Sequence, residues 1–371
     1  MNLENTNIRN LRNFSGGPGA LPENVLRQVQ ESIHTVPDAG LSILGISHRS
    51  KWFADVIAEA EHNVLSLLGL NDDYHVLFLQ GGATQQFSTI AMSLMGTAPG
   101  LPEYLLTGYW SGKSVTDAKH IGPIKTLWSG ESEQYARLPN DDELSFSPEA
   151  PYLHYISNET VEGIQFQRIL GLESVPRICD MSSDFLSRPC EANRFSMIYA
   201  HAQKNLGPAG VTIVVMRKDL VARCKDDLPE FLDYRSHIKA GSIFNTPPVF
   251  AIYVVLLITR WLKNDIGGLV NMNAINEAKA ALLYQAIDNS ASFYLGRSAK
   301  HDRSLMNVAF NLDTPELEKR FLEESSAAGF SGLNGHRAIG GLRASLYNGV
   351  TQHAVEDLVE FMAHFQQQNQ Q

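Results

Sequence analysis

The chain reads as an α/β protein with a large unit built on a mainly parallel seven-stranded sheet and a smaller C-terminal α+β unit. Three observations predict this. Between about residues 74 and 216, short β-rich apolar segments alternate with helical patterns, as in a sheet covered on both faces. Past residue 262 the pattern changes to amphipathic helices with strand-like pieces between them. At 371 residues, the chain is too long for one small core. The large unit is expected at 15–262 and the small one at 263–371, with segment 1–14 packing near the small one.

Candidate strands lie near 75–79, 103–106, 124–128, 152–156, 175–180, 196–200 and 211–215, and most are separated by room for a crossover helix. The first runs into Gln80-Gly81-Gly82-Ala83-Thr84, a glycine turn opening a helix. Backbone N–H groups and the helix dipole would make that turn an anion cradle, with the Thr84 hydroxyl as a further donor. The second leads to Gly108-Tyr109-Trp110-Ser111-Gly112-Lys113-Ser114. This stretch has a P-loop look, but its glycine spacing is one residue short and Tyr109 and Trp110 crowd the loop, so nucleotide hydrolysis is rejected. Trp110 is either a stacking surface for an aromatic ring or a packing residue.

Residues 129–150 are polar and turn-rich and read as a surface connection without chemistry. The longest apolar run, Val249–Ile258, follows Pro247-Pro248 and reads as a buried helix, being about half the length a bilayer span needs. Helices are expected at 273–288 and 314–328, strand-like pieces at 306–312 and 341–347, and a frayed tail from Gln366 to Gln371.

Charge and cysteine content exclude several classes. A formal charge of −10 leaves no basic stripe to neutralise a nucleic acid, so the binding charges for an anionic substrate must be local. Cys179, Cys190 and Cys224 show neither CxxC nor His-containing ligand spacing, so neither a metal site nor a disulfide framework is expected. The first residues, MNLENTNIRNLRNF, contain no apolar leader core. A cytoplasmic protein without a membrane partner is the expectation.

Two charged residues stand at the ends of successive strands. Asp180 closes the segment VPRICD, and Lys204 follows FSMIYA in a turn rich in small residues. Ligands of such sheets gather at the carboxyl ends of strands, where Gly81, Asp180 and Lys204 all fall. A lysine for an aldehyde and an acid for a ring nitrogen are what a pyridoxal 5'-phosphate (PLP) site requires. Two basic clusters, His48-Arg49 and His336-Arg337 leading to Arg343, suit a substrate carrying carboxylate and phosphate groups.

Together these stretches resemble the phosphoserine aminotransferases, fold-type I PLP-dependent transferases of the class V aminotransferase group. The ordered matches run from Asn13-Phe14-Ser15-Gly16-Gly17-Pro18 through His48-Arg49, the Gly81–Thr84 turn, Gly108-Tyr109-Trp110, Asn158-Glu159-Thr160, Asp180-Met181-Ser182-Ser183, Ala202–Gly210 and Asn245-Thr246-Pro247-Pro248 to Gly335-His336-Arg337 and Arg343. The resemblance implies that Lys204 bonds the cofactor aldehyde, Asp180 pairs with the pyridine nitrogen, Trp110 stacks on the ring and Thr160 lies near its hydroxyl. Ala83, Thr84 and Gln203 would hold the cofactor phosphate, joined by Asn245 and Thr246 from the other subunit of a homodimer. Arg343 would take the substrate α-carboxylate, with His48, Arg49, His336 and Arg337 handling the substrate phosphate or the glutamate side chain. One departure is Gly16, where the family usually carries Ala or Ser.

The implied reaction moves the amino group of L-glutamate to 3-phosphooxypyruvate with ping-pong kinetics, in L-serine biosynthesis. It would extend to 3-hydroxy-2-oxo-4-phosphooxybutanoate if the chain also serves pyridoxine phosphate biosynthesis. A desulfurase or lyase reading lacks a cysteine in a glycine-rich C-terminal loop. A silent PLP-binding homologue is opposed by the presence of every chemical residue.

Overall fold

The structure, a computed structural model, describes residues 10–370. Residues 1–9, where no apolar leader core was expected, lie outside the described residues, as does Gln371.

All seven expected strands form. They are β1 (Tyr74–Leu79), β2 (Glu103–Leu106), β3 (Lys125–Ser129), β4 (Leu153–Ile156), β7 (Arg177–Asp180), β8 (Met197–His201) and β9 (Thr212–Arg217), with a short hairpin, β5 (Asn158–Glu159) and β6 (Ile164–Gln165), between β4 and β7. The sheet order is β1-β9-β8-β7-β4-β2-β3, and β9 alone runs antiparallel to its neighbours.

Helices cover both faces, which is why the central strands are apolar almost throughout. Along β1, Val76 and Phe78 face one core with Ile198 and Val215, and Leu77 and Leu79 face the other with Phe87, Ile90 and Tyr199. The two-residue period of a strand separates the two sets. The helices of this part are α1 (Glu23–His34), α2 (Lys51–Leu68), α3 (Gly82–Leu94), α4 (Tyr109–Ile121), α5 (Lys218–Arg223), α6 (Tyr234–Lys239) and α7 (Val249–Asn264). The α7 helix outlasts its apolar run because Leu262 is still buried and Lys263 Nζ donates to Asn63 Oδ1 of α2 at 2.8 Å.

Beyond it come α8 (Leu269–Asp288), β10 (Leu295–Gly296), β11 (Asn307–Asn311), α9 (Pro315–Ala327), β12 (Leu342–Ser345) and α10 (Gln352–Asn369), with β10-β11-β12 forming an antiparallel sheet. A second core gathers Leu283, Val308, Phe321, Leu342 and Phe365, together with Phe14 and Ala20 from the start of the chain. Arg12 ties that start down, its Nε donating to Asp357 of α10 at 2.8 Å. The Gln-rich end is helical to Asn369 rather than frayed, because Phe365 is buried and Gln366 Nε2 donates to the Ser290 carbonyl at 2.8 Å. Residues 129–150 do cross the surface, where Arg137 bridges Glu133 and Glu143, but Leu138 is buried and its N–H bonds Asp302 at 2.8 Å.

The most demanding element of this part is Lys279 on α8. Fully buried, it donates to the carbonyls of Leu346, Tyr347 and Val350, each at 2.9 Å. Burial pulls its pKa down to about 7, opposed by three carbonyls that favour the ammonium form. The segment it grips also bonds Gly16 through Tyr347 Oη and Asn205 through the Asn348 N–H. Lys279→Met removes the ammonium donor from three carbonyls, of which that of Tyr347 keeps the Val350 N–H, and is expected to cost about 2–4 kcal/mol of stability. Chemical denaturation checks this, and an unchanged midpoint contradicts it.

Candidate active site

Both turns that carry the chemistry open at the same edge of the sheet. After β1, Gly81 and Gly82 adopt φ values of +94° and +71°, which only glycine takes readily, and turn the chain into α3. No side chain caps this helix, and its first residues, Gly82, Ala83 and Thr84, line a cavity together with Gln203. That is the chemistry of an anion site.

The start of α4 is the opposite case. Glu159 accepts from the Ser111 N–H at 3.0 Å and the Trp110 N–H at 3.2 Å, and Glu162 accepts from the Tyr109 N–H at 2.9 Å. Two carboxylates from the β5–β6 hairpin therefore occupy the N–H groups that a nucleotide phosphate would need. Burial, then repulsion from Glu159, pushes the Glu162 carboxyl up to about 8. These glutamates fix the backbone of Trp110. Glu159→Ala is expected to lower stability by about 1–3 kcal/mol through the orphaned donors, and to weaken ring stacking at Trp110. Thermal denaturation and a cofactor titration read the two effects, and a variant matching wild type in both contradicts the role.

Lys204 lies three residues beyond β8, its amine donating to Thr160 Oγ1 at 2.6 Å and standing 5.2 Å from the centre of the Trp110 ring. Burial pulls its pKa down to about 8, against the attraction of Asp180 and Glu159. Asp180, at the end of β7, is buried and accepts from the Ser182 N–H at 2.8 Å. Burial raises its pKa and the Lys204 charge opposes the rise.

Arg343, on β12, reaches the same place from the second core. Nη1 donates to the Thr160 carbonyl at a long 3.4 Å, and Nε is buried without a partner. A Cβ on Gly16 would fall 2.2 Å from Nη2, so in this chain the guanidinium fills the space that a side chain at 16 would take. Its pKa is lowered by burial. His336 packs its ring on Tyr109 at 4.5 Å, with its pKa lowered by burial and by Arg343, while Arg337 is exposed.

The structure thus gathers Lys204, Asp180, Trp110, Thr160, Ala83, Thr84, Gln203 and Arg343 around one cavity edge, with His336 nearby. His48, Arg49, Asn245 and Thr246 do not line that cavity: His48 is half-buried, and the other three are exposed. Sequence reasoning missed the capping roles of Glu159 and Glu162, and that His201 lines the cavity. Glu159 was present in the Asn158-Glu159-Thr160 motif, but its partners lie 48 or more positions away.

The fold and this site define a class-V aminotransferase: the family model "Aminotransferase class-V" matches residues 12–358, and the chain belongs to that family. Within it, the chain is similar to phosphoserine aminotransferases. That of Rhodopirellula baltica is 44% identical over 358 residues, covering 96% of this chain and 95% of the relative. The solved phosphoserine aminotransferase of Bacillus circulans subsp. alkalophilus superposes with a TM-score of 0.92 at 45% identity, covering 96% of this chain and 98% of that one. A Trichomonas vaginalis phosphoserine aminotransferase solved with PLP bound gives 0.88 at 34% identity, covering 95% and 99%. Among the described residues, no helix is long and apolar enough to cross a membrane, and no cluster of His, Cys, Asp or Glu could hold a metal ion.

Proposed function

We propose that this protein is a PLP-dependent transaminase that moves the amino group of L-glutamate to 3-phosphooxypyruvate, releasing 2-oxoglutarate and O-phospho-L-serine in serine biosynthesis. The carrying observation is the buried Lys204 amine held between Thr160, the Trp110 ring and the field of Asp180. An uncapped helix beside it suits the cofactor phosphate. Bound there, PLP supplies an aldehyde that takes up amino groups and a ring that draws off negative charge.

The chain's own residues supply the rest. Lys204 Nζ would be the attachment point and, when its amine is free, the base that takes and returns the proton at the amino acid's Cα. Asp180 keeps a proton on the ring nitrogen. Trp110 would cover the ring face and Thr160 its hydroxyl edge, while Ala83, Thr84 and Gln203 would hold the phosphate. Arg343 receives the α-carboxylate common to both amino acids. His336 and Arg337, with His48 and Arg49, answer the substrate phosphate or the glutamate side chain.

The surface position of Asn245 and Thr246 supports a homodimer in which they reach the partner's cofactor phosphate. Leu41 and Leu44, ahead of His48-Arg49, and Ile243 and Phe244, ahead of Asn245-Thr246, are exposed apolar residues of the kind a subunit interface covers. The large (15–262) and small (263–371) units would then frame a shared site, in a cytoplasmic enzyme. The same groups extend the proposal to 3-hydroxy-2-oxo-4-phosphooxybutanoate, in pyridoxine phosphate biosynthesis. Initial rates at varied glutamate and 3-phosphooxypyruvate test the reading: parallel double-reciprocal lines are expected, and intersecting lines contradict a ping-pong transamination.

A further inference from the structure

One polar side chain of the cavity has no part in the reading above. His201, the last residue of β8, sets its ring against the first turn of α3: a Cβ on Gly82 would lie 3.3 Å from its Nδ1 and 3.6 Å from Cε1. It lines the same cavity as Gly82, Ala83, Thr84, Gln203 and Lys204. Its backbone N–H donates to Ser182 Oγ at 3.1 Å, and its Nδ1 pairs with Thr212 Oγ1 at 3.2 Å, so main chain and ring are both anchored. Nε2, the atom next to Cε1, has no hydrogen-bond partner among the described residues.

Burial, then the charge of Lys204, pulls the imidazole pKa down to about 4. The ring is therefore neutral at neutral pH. The Nδ1–Thr212 pair can form in either direction; in the tautomer where Thr212 donates to Nδ1, the one ring proton sits on Nε2 and makes it a donor.

We propose that His201 is an additional ligand of the cofactor phosphate, its Nε2–H donating to an oxygen of the anion seated on the α3 N-terminus. This rests on the PLP reading given above. The helix offers N–H groups from one side only, and Gly82, lacking a side chain, lets the imidazole approach from the strand side. A neutral donor adds a hydrogen bond to the phosphate without adding charge beside the Lys204 amine. The effect of His201 should therefore depend on the phosphate group and not on the pyridine ring.

The test is a titration of cofactor-stripped protein with PLP and with pyridoxal, which lacks the phosphate, in wild type, His201→Ala and His201→Gln. His201→Ala is expected to weaken PLP by ~10-fold or more, the scale of a lost hydrogen bond to a charged acceptor, with pyridoxal affinity unchanged and His201→Gln recovering part of the loss. An equal loss for both ligands assigns His201 to packing and overturns the proposal, as does no loss for PLP. Wild-type protein that binds neither compound overturns the cofactor reading itself, which is distinct from a wild type that binds PLP and variants that fail to discriminate.

Discussion

Lys204→Ala is expected to abolish transamination, removing both the attachment point and the base, the latter alone contributing on the order of 10²–10⁴-fold. Among the described residues, Lys204 Nζ is the amine that donates to Thr160 and stands over Trp110. The pKa of about 8 adds a pH signature, since only the deprotonated amine attacks an aldehyde. Uptake of PLP by stripped protein should rise with pH and level off above about 8. Stopped-flow absorbance reads that rate. A rise continuing towards the ordinary lysine value of 10.5 would contradict the buried environment, and a Lys204→Ala variant with full turnover would contradict the assignment.

Arg343→Ala is expected to be the next most damaging change. In this structure the guanidinium is held but uncommitted, with one long bond to the Thr160 carbonyl and a buried Nε that lacks a partner. A substrate carboxylate supplies the missing acceptors. Truncating one member of such a buried charged pair costs roughly 2–5 kcal/mol, or on the order of 10²-fold or more in kcat/KM. Because glutamate and phosphoserine both carry the α-carboxylate, both half-reactions should suffer. Single-turnover kinetics with each amino acid separates them, and a loss confined to one substrate would assign Arg343 elsewhere.

The sheet was legible because its signals are local. Buried strands such as Tyr74–Leu79 and Thr212–Arg217 are apolar runs between polar turns, and the chemical residues follow at their ends. Lys204, Asp180 and the Gly81-Gly82 turn could be read for that reason. Contacts set by tertiary structure could not. The glutamates that cap α4 come from a hairpin far along the chain, and His201, one residue past the expected strand 196–200, meets Gly82 only in the fold. Gly16 read only as a departure from the family's Ala or Ser, whereas in the fold its bare Cα makes room for Arg343. The Gln-rich tail failed for a similar reason, since its composition is polar but Phe365 anchors its last turns.

The most direct test is the visible spectrum of the purified protein with PLP, recorded before and after glutamate and again after 3-phosphooxypyruvate. The account predicts a band from lysine-bound cofactor that glutamate removes and the phosphorylated oxoacid restores. A band indifferent to glutamate would leave a PLP-binding protein without this reaction, and no band at all would contradict the role given to Lys204.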